Sequence, residues 1–220
     1  MKKHNFMATL YPVAEMQLGY FTAAQARDAG LNPVGLIPLA ARGVIERVSR
    51  GVYRLSRYPS TPLDSLMAAV LWSQAKSGNP TGVISNESAL AFYGMSEVSP
   101  SRIHVTLPDG ARIRRAVPSH LKIHHAPLRP DEVRVVEGIP VTTPERALRD
   151  AAESHLGMAL LRQAINDGAR NGALTAAEAS RLSSELLHEE RAGGSHHRGH
   201  PPACPCFNEA APVRERQSTT

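Results

Sequence analysis

The chain has 220 residues, 42% of them hydrophobic, with 25 Lys and Arg against 20 Asp and Glu for a net charge of +5. That composition supports a packed core and excludes wholesale disorder, and no run approaches the roughly 18 uninterrupted apolar residues of a membrane span. The excess charge is local: residues 1–60 carry eight basic and three acidic side chains, whereas residues 61–187 and 188–220 are each balanced, which marks an N-terminal surface suited to a polyanion.

In chain order, residues 6–17 place Phe6, Leu10, Val13 and Met16 on one helical stripe interrupted by Pro12. Thr22 is positioned to cap a helix over 23–29 that Gly30 ends, and Asn32-Pro33 opens a third helix that Gly43 ends. The segment Val44-Ile45-Glu46-Arg47-Val48, a Ser49-Arg50-Gly51 turn and Val52-Tyr53-Arg54-Leu55 then read as strand, turn, strand. Three helices and a hairpin are the parts of a winged helix-turn-helix, in which the third helix enters the major groove and the hairpin, or wing, lies along the backbone or minor groove. A three-residue turn with Gly51 left-handed sets Val48 opposite Val52, Arg47 opposite Tyr53 and Glu46 opposite Arg54; a two-residue turn would set Arg47 against Arg54, two like charges. The first register is therefore expected, with Arg50 at the tip as the foremost candidate for a DNA contact. Arg42, Arg47, Arg54, Arg57 and Asn32 complete the expected DNA-binding set. The third helix departs from common base readers, because Asn-Pro-Val-Gly-Leu-Ile-Pro-Leu-Ala-Ala-Arg offers few donors to base edges and Pro38 should kink or shorten it.

Residues 58–62, Tyr-Pro-Ser-Thr-Pro, form a short stiff link. Beyond it a helix is expected over 64–76, with Leu66, Met67, Val70 and Leu71 on its buried stripe and Trp72 in the core. A Ser85-capped helix follows over 86–93, then strands at 102–107 and 121–125 and a short hairpin spanning 132–141. A helix opened by Thr143-Pro144 and two further helices over 156–171 and 175–187 follow, the last with a Thr175/Glu178 capping box. The chain thus divides into a winged-helix domain at 1–58, an α+β domain at 62–187 and a tail at 188–220 whose His-, Gly- and Pro-rich composition reads as disordered.

The catalytic motifs of phosphate-loop, dinucleotide-binding, nucleophile-elbow and His-Glu-x-x-His proteins are absent from the sequence. Pro130-Asp131, followed by Glu132 and Arg134, has a distant likeness to metal-dependent nucleases, without the acidic-x-Lys that should follow; a nuclease-related enzyme is the alternative function of a different class. His120, His124 and His125 read as surface or packing residues, since adjacent strand positions point to opposite faces. His196, His197, His200, Cys204 and Cys206 lack the spacing of a zinc knuckle. No catalytic residue, metal or cofactor is expected. The two cysteines offer no disulfide framework, and Pro12, Glu15 and Gln17 interrupt any signal-peptide core, so a cytoplasmic protein is expected.

Several of these segments resemble one family. Phe21-Thr22-Ala23-Ala24-Gln25-Ala26 and Ala41-Arg42-Gly43-Val44-Ile45-Glu46-Arg47-Val48-Ser49-Arg50-Gly51-Val52-Tyr53-Arg54 are similar to the winged helix of AbiEi-type antitoxins of type IV toxin–antitoxin systems. Ile84-Ser85-Asn86-Glu87-Ser88-Ala89-Leu90, Ile103-His104-Val105-Thr106-Leu107-Pro108 and Gly138-Ile139-Pro140-Val141-Thr142-Thr143-Pro144-Glu145-Arg146-Ala147-Leu148 resemble that family's second domain. The resemblance implies a winged helix that binds inverted repeats in double-stranded DNA of its own promoter and represses the operon. It also implies a C-terminal domain that counters a nucleotidyltransferase-like toxin acting on RNA, and it gives the wing role to Arg47, Arg50 and Arg54. A transcriptional regulator without a toxin is the plainer reading.

Overall fold

The computed structural model describes residues 6–74, 82–97, 99–111, 113 and 115–187. The tail at 188–220, with Cys204 and Cys206, lies outside them. The described residues form an α+β protein with a three-stranded and a five-stranded sheet.

The first helix, α1 (Phe6–Glu15), runs through Pro12 and buries Leu10 and Ala14; Met16, expected on the inner stripe, lies just past its end and is exposed. Strand β1 (Tyr20–Thr22) follows, then α2 (Ala23–Asp28). Thr22 caps α2 as expected, and reciprocally: its hydroxyl accepts from the Gln25 N–H at 3.2 Å while its own N–H donates to the Gln25 Oε1 at 2.8 Å. A 3₁₀ turn at Pro33–Gly35 leads into α3 (Leu36–Ala41). The third helix therefore begins as a tighter turn, and Pro38 sits in the first turn of the α-helical part, where a missing N–H costs least.

The wing consists of β2 (Ile45–Ser49) and β3 (Val52–Leu55). Glu46 pairs with Arg54 and Arg47 with Tyr53 as expected, but Ser49, not Val48, lies opposite Val52. Val48 is the extra residue of a bulge, which tightens the turn around a left-handed Gly51 (φ 84°). Strand β1 was not legible in the sequence; it pairs with β3, giving the order β1-β3-β2 and placing β3 at the centre. Leu10, Ala14, Phe21, Ala26, Leu36, Ile45 and Leu55 form a small core beneath one face of this sheet. Tyr20 and Val52 point the other way, into the larger core of the rest of the chain.

That larger core is built on a mixed sheet. Its strands are β4 (Val83–Ile84), β5 (Ile103–Leu107), β6 (Leu121–His125), β7 (Val133–Val136) and β8 (Ile139–Thr142), in the order β6-β5-β4-β8-β7. β5/β6 and β4/β8 are parallel, while β4/β5 and β7/β8 are antiparallel. The residues linking β7 and β8, Glu137 (φ 50°) and Gly138 (φ 78°), are both left-handed, as the two-residue turn favoured by the twist of a hairpin requires. Four helix segments pack on this frame after α4 (Asp64–Ser73): α5 (Asn86–Phe92), α6 (Pro144–Glu153), α7 (Met158–Asn171) and α8 (Ala176–Leu187). α4 ends at Ser73, three residues earlier than expected, where Gln74 turns to extended geometry. Trp72 is core, 5% exposed.

The segments that carry the family resemblance in the second half are scaffold. Asn86, left-handed at φ 49°, donates through Nδ2 to the Asp150 carbonyl at 2.9 Å and the Ser154 hydroxyl at 2.8 Å, tying α5 to α6. Ser88 accepts the His104 N–H at 2.9 Å, and the Thr106 hydroxyl donates to Ser85 at 2.7 Å, tying α5 to β5. Thr143 caps α6, Pro144 occupies its first position, and Arg146 donates to Glu132 (2.9 Å), Asp150 (2.6 Å) and the Pro127 carbonyl (3.1 Å). Arg149 and Arg181 both bind Glu145, which joins α6 to α8 and holds the Glu145 carboxyl below its ordinary pKa. The Thr175/Glu178 capping box of α8 is present, with the Thr175 N–H donating to Glu178 at 2.7 Å.

Candidate nucleic-acid interface

Most of the side chains expected to meet DNA lie on the surface. Arg42, Arg47, Arg50, Arg57 and Asn32 are exposed. Arg42 is the C-cap of α3, and its Nε donates to the Pro38 carbonyl at 3.0 Å, a bond that does not involve its two terminal guanidinium nitrogens. Arg47 lies on β2, an edge strand along which Glu46, Arg47 and Val48 are exposed in succession because the bulge breaks the two-residue alternation. Arg50 occupies the hairpin tip. Asn32 has its Oδ1 engaged by the Val34 N–H at 3.1 Å, so its amide group remains the part able to face a partner.

Arg54 is placed otherwise. It is 8% exposed, its Nη2 donates to the Tyr58 carbonyl at 2.8 Å and the Ser60 hydroxyl at 3.1 Å, and it pairs with Asp64 at 3.3 Å while lying over the Tyr20 ring at 5.5 Å. The cause is strand periodicity. Arg54 shares a face of β3 with Val52, and that face is turned toward α4, whose first residue is Asp64. An arginine read from sequence as part of the wing surface is instead the internal brace between the wing and the link that follows it.

A basic residue not singled out in the sequence lies near the wing. Arg115, in the segment between β5 and β6, stacks over the Trp72 ring at 4.5 Å. Burial, and then the like charge of Arg50, lower its pKa. The run Ala111-Arg112-Ile113-Arg114-Arg115 is the signal that could have drawn attention to it. The outer side of the third helix is a further surprise: Val34 and Ile37 are each 68% exposed.

The acidic residues behind the alternative nuclease reading are occupied by arginines. Asp131 pairs with Arg129 at 3.1 Å, and Glu132 accepts from Arg146 at 2.9 Å. No group of three or more His, Cys, Asp or Glu among the described residues is arranged to hold a metal ion. His124 and His125 do point to opposite sides of β6, as expected, and His124 meets His104 of β5 with ring centroids 5.1 Å apart. The Nδ1 of His104 lies 2.5 Å from Glu87, and burial pushes both imidazoles down to about 4, so they are neutral at neutral pH. Among the described residues no helix is long and apolar enough to cross a membrane.

Residues 9–56 match a family model described as a transcriptional regulator, AbiEi antitoxin, and residues 81–185 match the AbiEi antitoxin C-terminal domain. A comparison with curated proteins finds no significant match. Among solved structures, the chain is similar to the RV2827C protein from Mycobacterium tuberculosis, at 16% identity and a TM-score of 0.48 over 82% of this chain and 72% of that one. Both the wing-bearing half and the mixed-sheet half thus match one family, and the chain belongs to the AbiEi antitoxins, DNA-binding transcriptional regulators that act as antitoxins.

Proposed function

We propose that the protein is the autorepressing antitoxin of a type IV toxin–antitoxin system, acting in the cytoplasm without catalysis of its own. Residues 1–58 act as the winged helix that binds inverted repeats in double-stranded DNA of its own promoter. Residues 62–187 counter a nucleotidyltransferase-like toxin functionally, without the need for a stable complex. The observation that carries the DNA part is the arrangement of Arg42, Arg47, Arg50 and Arg57 as exposed cations on the third helix, the wing and its exit. Exposed cations on a winged helix are free to neutralise DNA phosphates, as a buried and paired one such as Arg54 is not.

A reporter driven by the DNA preceding the gene tests the regulatory part. Wild-type protein supplied in trans should repress it, and the Arg42→Ala/Arg47→Ala/Arg50→Ala variant should lose most of that repression. Equal repression by both would remove the wing surface from the function. Co-expression with the product of the neighbouring reading frame tests the other half: the same triple variant should still restore growth, because the toxin-countering role belongs to residues 62–187.

A further inference from the structure

The outer side of the third helix is apolar where a base-reading helix ordinarily carries hydrogen-bonding side chains. Val34, Ile37, Pro38 and Ala41 are all exposed, at the spacing i, i+3, i+4, i+7 that puts them on one side. Leu36 turns inward and is fully buried in the small core, with Leu39 and Ala40 packed against it. The stripe has no side-chain donor or acceptor along its length. Its borders are polar: Asn32 at one end, Arg42 at the other, and Arg47 and Arg50 on the adjoining wing.

We infer that this stripe reads thymine methyl groups in the major groove, so that Val34 and Ile37 are specificity-determining residues for A·T-rich half-sites; the inference rests on the DNA-binding reading above. The surrounding charge identifies the occupant. A patch with Arg42 at its end, next in the chain to a wing that bears exposed Arg47 and Arg50, on the element a winged helix offers to the groove, complements a phosphate-lined duplex. Within that groove the base edges are almost wholly polar. Valine and isoleucine over the edges of guanine, cytosine or adenine would strip water from donors and acceptors and return no hydrogen bond. The C5 methyl of thymine is the one feature there that an apolar side chain complements. Each methyl buried against hydrocarbon contributes about fourfold in affinity, so two or three contacts discriminate by roughly tenfold or more.

The test replaces thymine by uracil, which removes the methyl and keeps the charge and pairing edge. The duplex preceding the gene is synthesised once with dT and once with dU, and binding of the full chain to each is followed by fluorescence anisotropy. The wild-type protein should bind the dT duplex roughly tenfold or more tightly than the dU duplex. The Val34→Ala/Ile37→Ala variant, altered only at exposed positions, should bring that ratio close to one while keeping the wild-type dependence on salt. Equal binding of dT and dU duplexes by the wild type would overturn the inference while leaving DNA binding intact, and would turn the stripe into a surface for a protein partner. A ratio unchanged in the variant would move the methyl reading to other residues and also overturn it. Failure to bind either duplex would sink the DNA-binding reading itself, and this inference with it.

Discussion

Arg50 and Arg54 stand four positions apart on one hairpin and have opposite surroundings. Arg50, at the tip, faces solvent; Arg54, on the central strand, is enclosed by the Tyr58 carbonyl, Ser60, Asp64 and the Tyr20 ring. The exposed tip was legible in the sequence because a glycine-bearing turn projects its neighbours outward. The burial of Arg54 was not, because it depends on β1, which makes β3 a central strand, and on α4 covering the face that Arg54 shares with Val52. Removing one partner of a largely buried ion pair leaves the other desolvated and unpaired. Arg54→Ala should therefore destabilise the protein by about 3 kcal/mol in urea denaturation, whereas Arg50→Ala should shift stability by no more than about 0.5 kcal/mol. A destabilisation of equal size in both variants would contradict this division of roles.

At the scale of elements, strong local signals were readable and short or context-dependent elements were not. The Thr22 cap of α2, the capping box of α8, the Thr143-Pro144 start of α6 and the wing itself follow from side-chain chemistry within a few residues. β1 and β4 have three and two residues, too few for any periodicity, and exist because neighbouring strands supply their hydrogen bonds. The bulge at Val48 is likewise a product of turn closure that alternation alone does not reveal. The contact between His104 on β5 and His124 on β6 required knowing that these strands run parallel in register, with Thr106 rather than His104 opposite His124. This pair has a measurable consequence. Burial holds both imidazoles near 4 in the folded protein, against about 6.5 in the unfolded chain, so between those values the unfolded chain binds protons that the folded one does not. Their contribution to stability is complete above about pH 6.5 and is lost as pH falls toward 4, by up to about 1.4 kcal/mol per pH unit for each histidine. Comparing urea midpoints of wild type and His124→Gln between pH 7 and pH 5 checks this: the wild type should lose stability more steeply, and parallel profiles would refute it.

For the whole molecule, the uneven distribution of charge was the most informative property of the composition. Of the eight basic residues in the first sixty positions, Arg42, Arg47, Arg50 and Arg57 are exposed on the third helix, the wing and its exit, Arg54 is internal, Arg27 lies on α2, and Lys2 and Lys3 lie outside the described residues. In the balanced remainder, one network of charged residues ties helices together: Arg146 pairs with Glu132 and Asp150, and Arg149 and Arg181 pair with Glu145 and Glu185. The motifs that carry the resemblance in this second half hold α5, α6 and the sheet together, so they identify the fold and leave the toxin-countering surface to be found by experiment. The central claim is that exposed wing arginines neutralise DNA phosphates. It is tested most directly by the salt dependence of binding to the duplex preceding the gene, measured by anisotropy for wild type and for Arg47→Ala/Arg50→Ala. Each lost phosphate contact should reduce the log–log slope by about 0.9, so the double variant should bind more weakly with a slope shallower by nearly 2. An unchanged slope and affinity in a folded double variant would contradict the account.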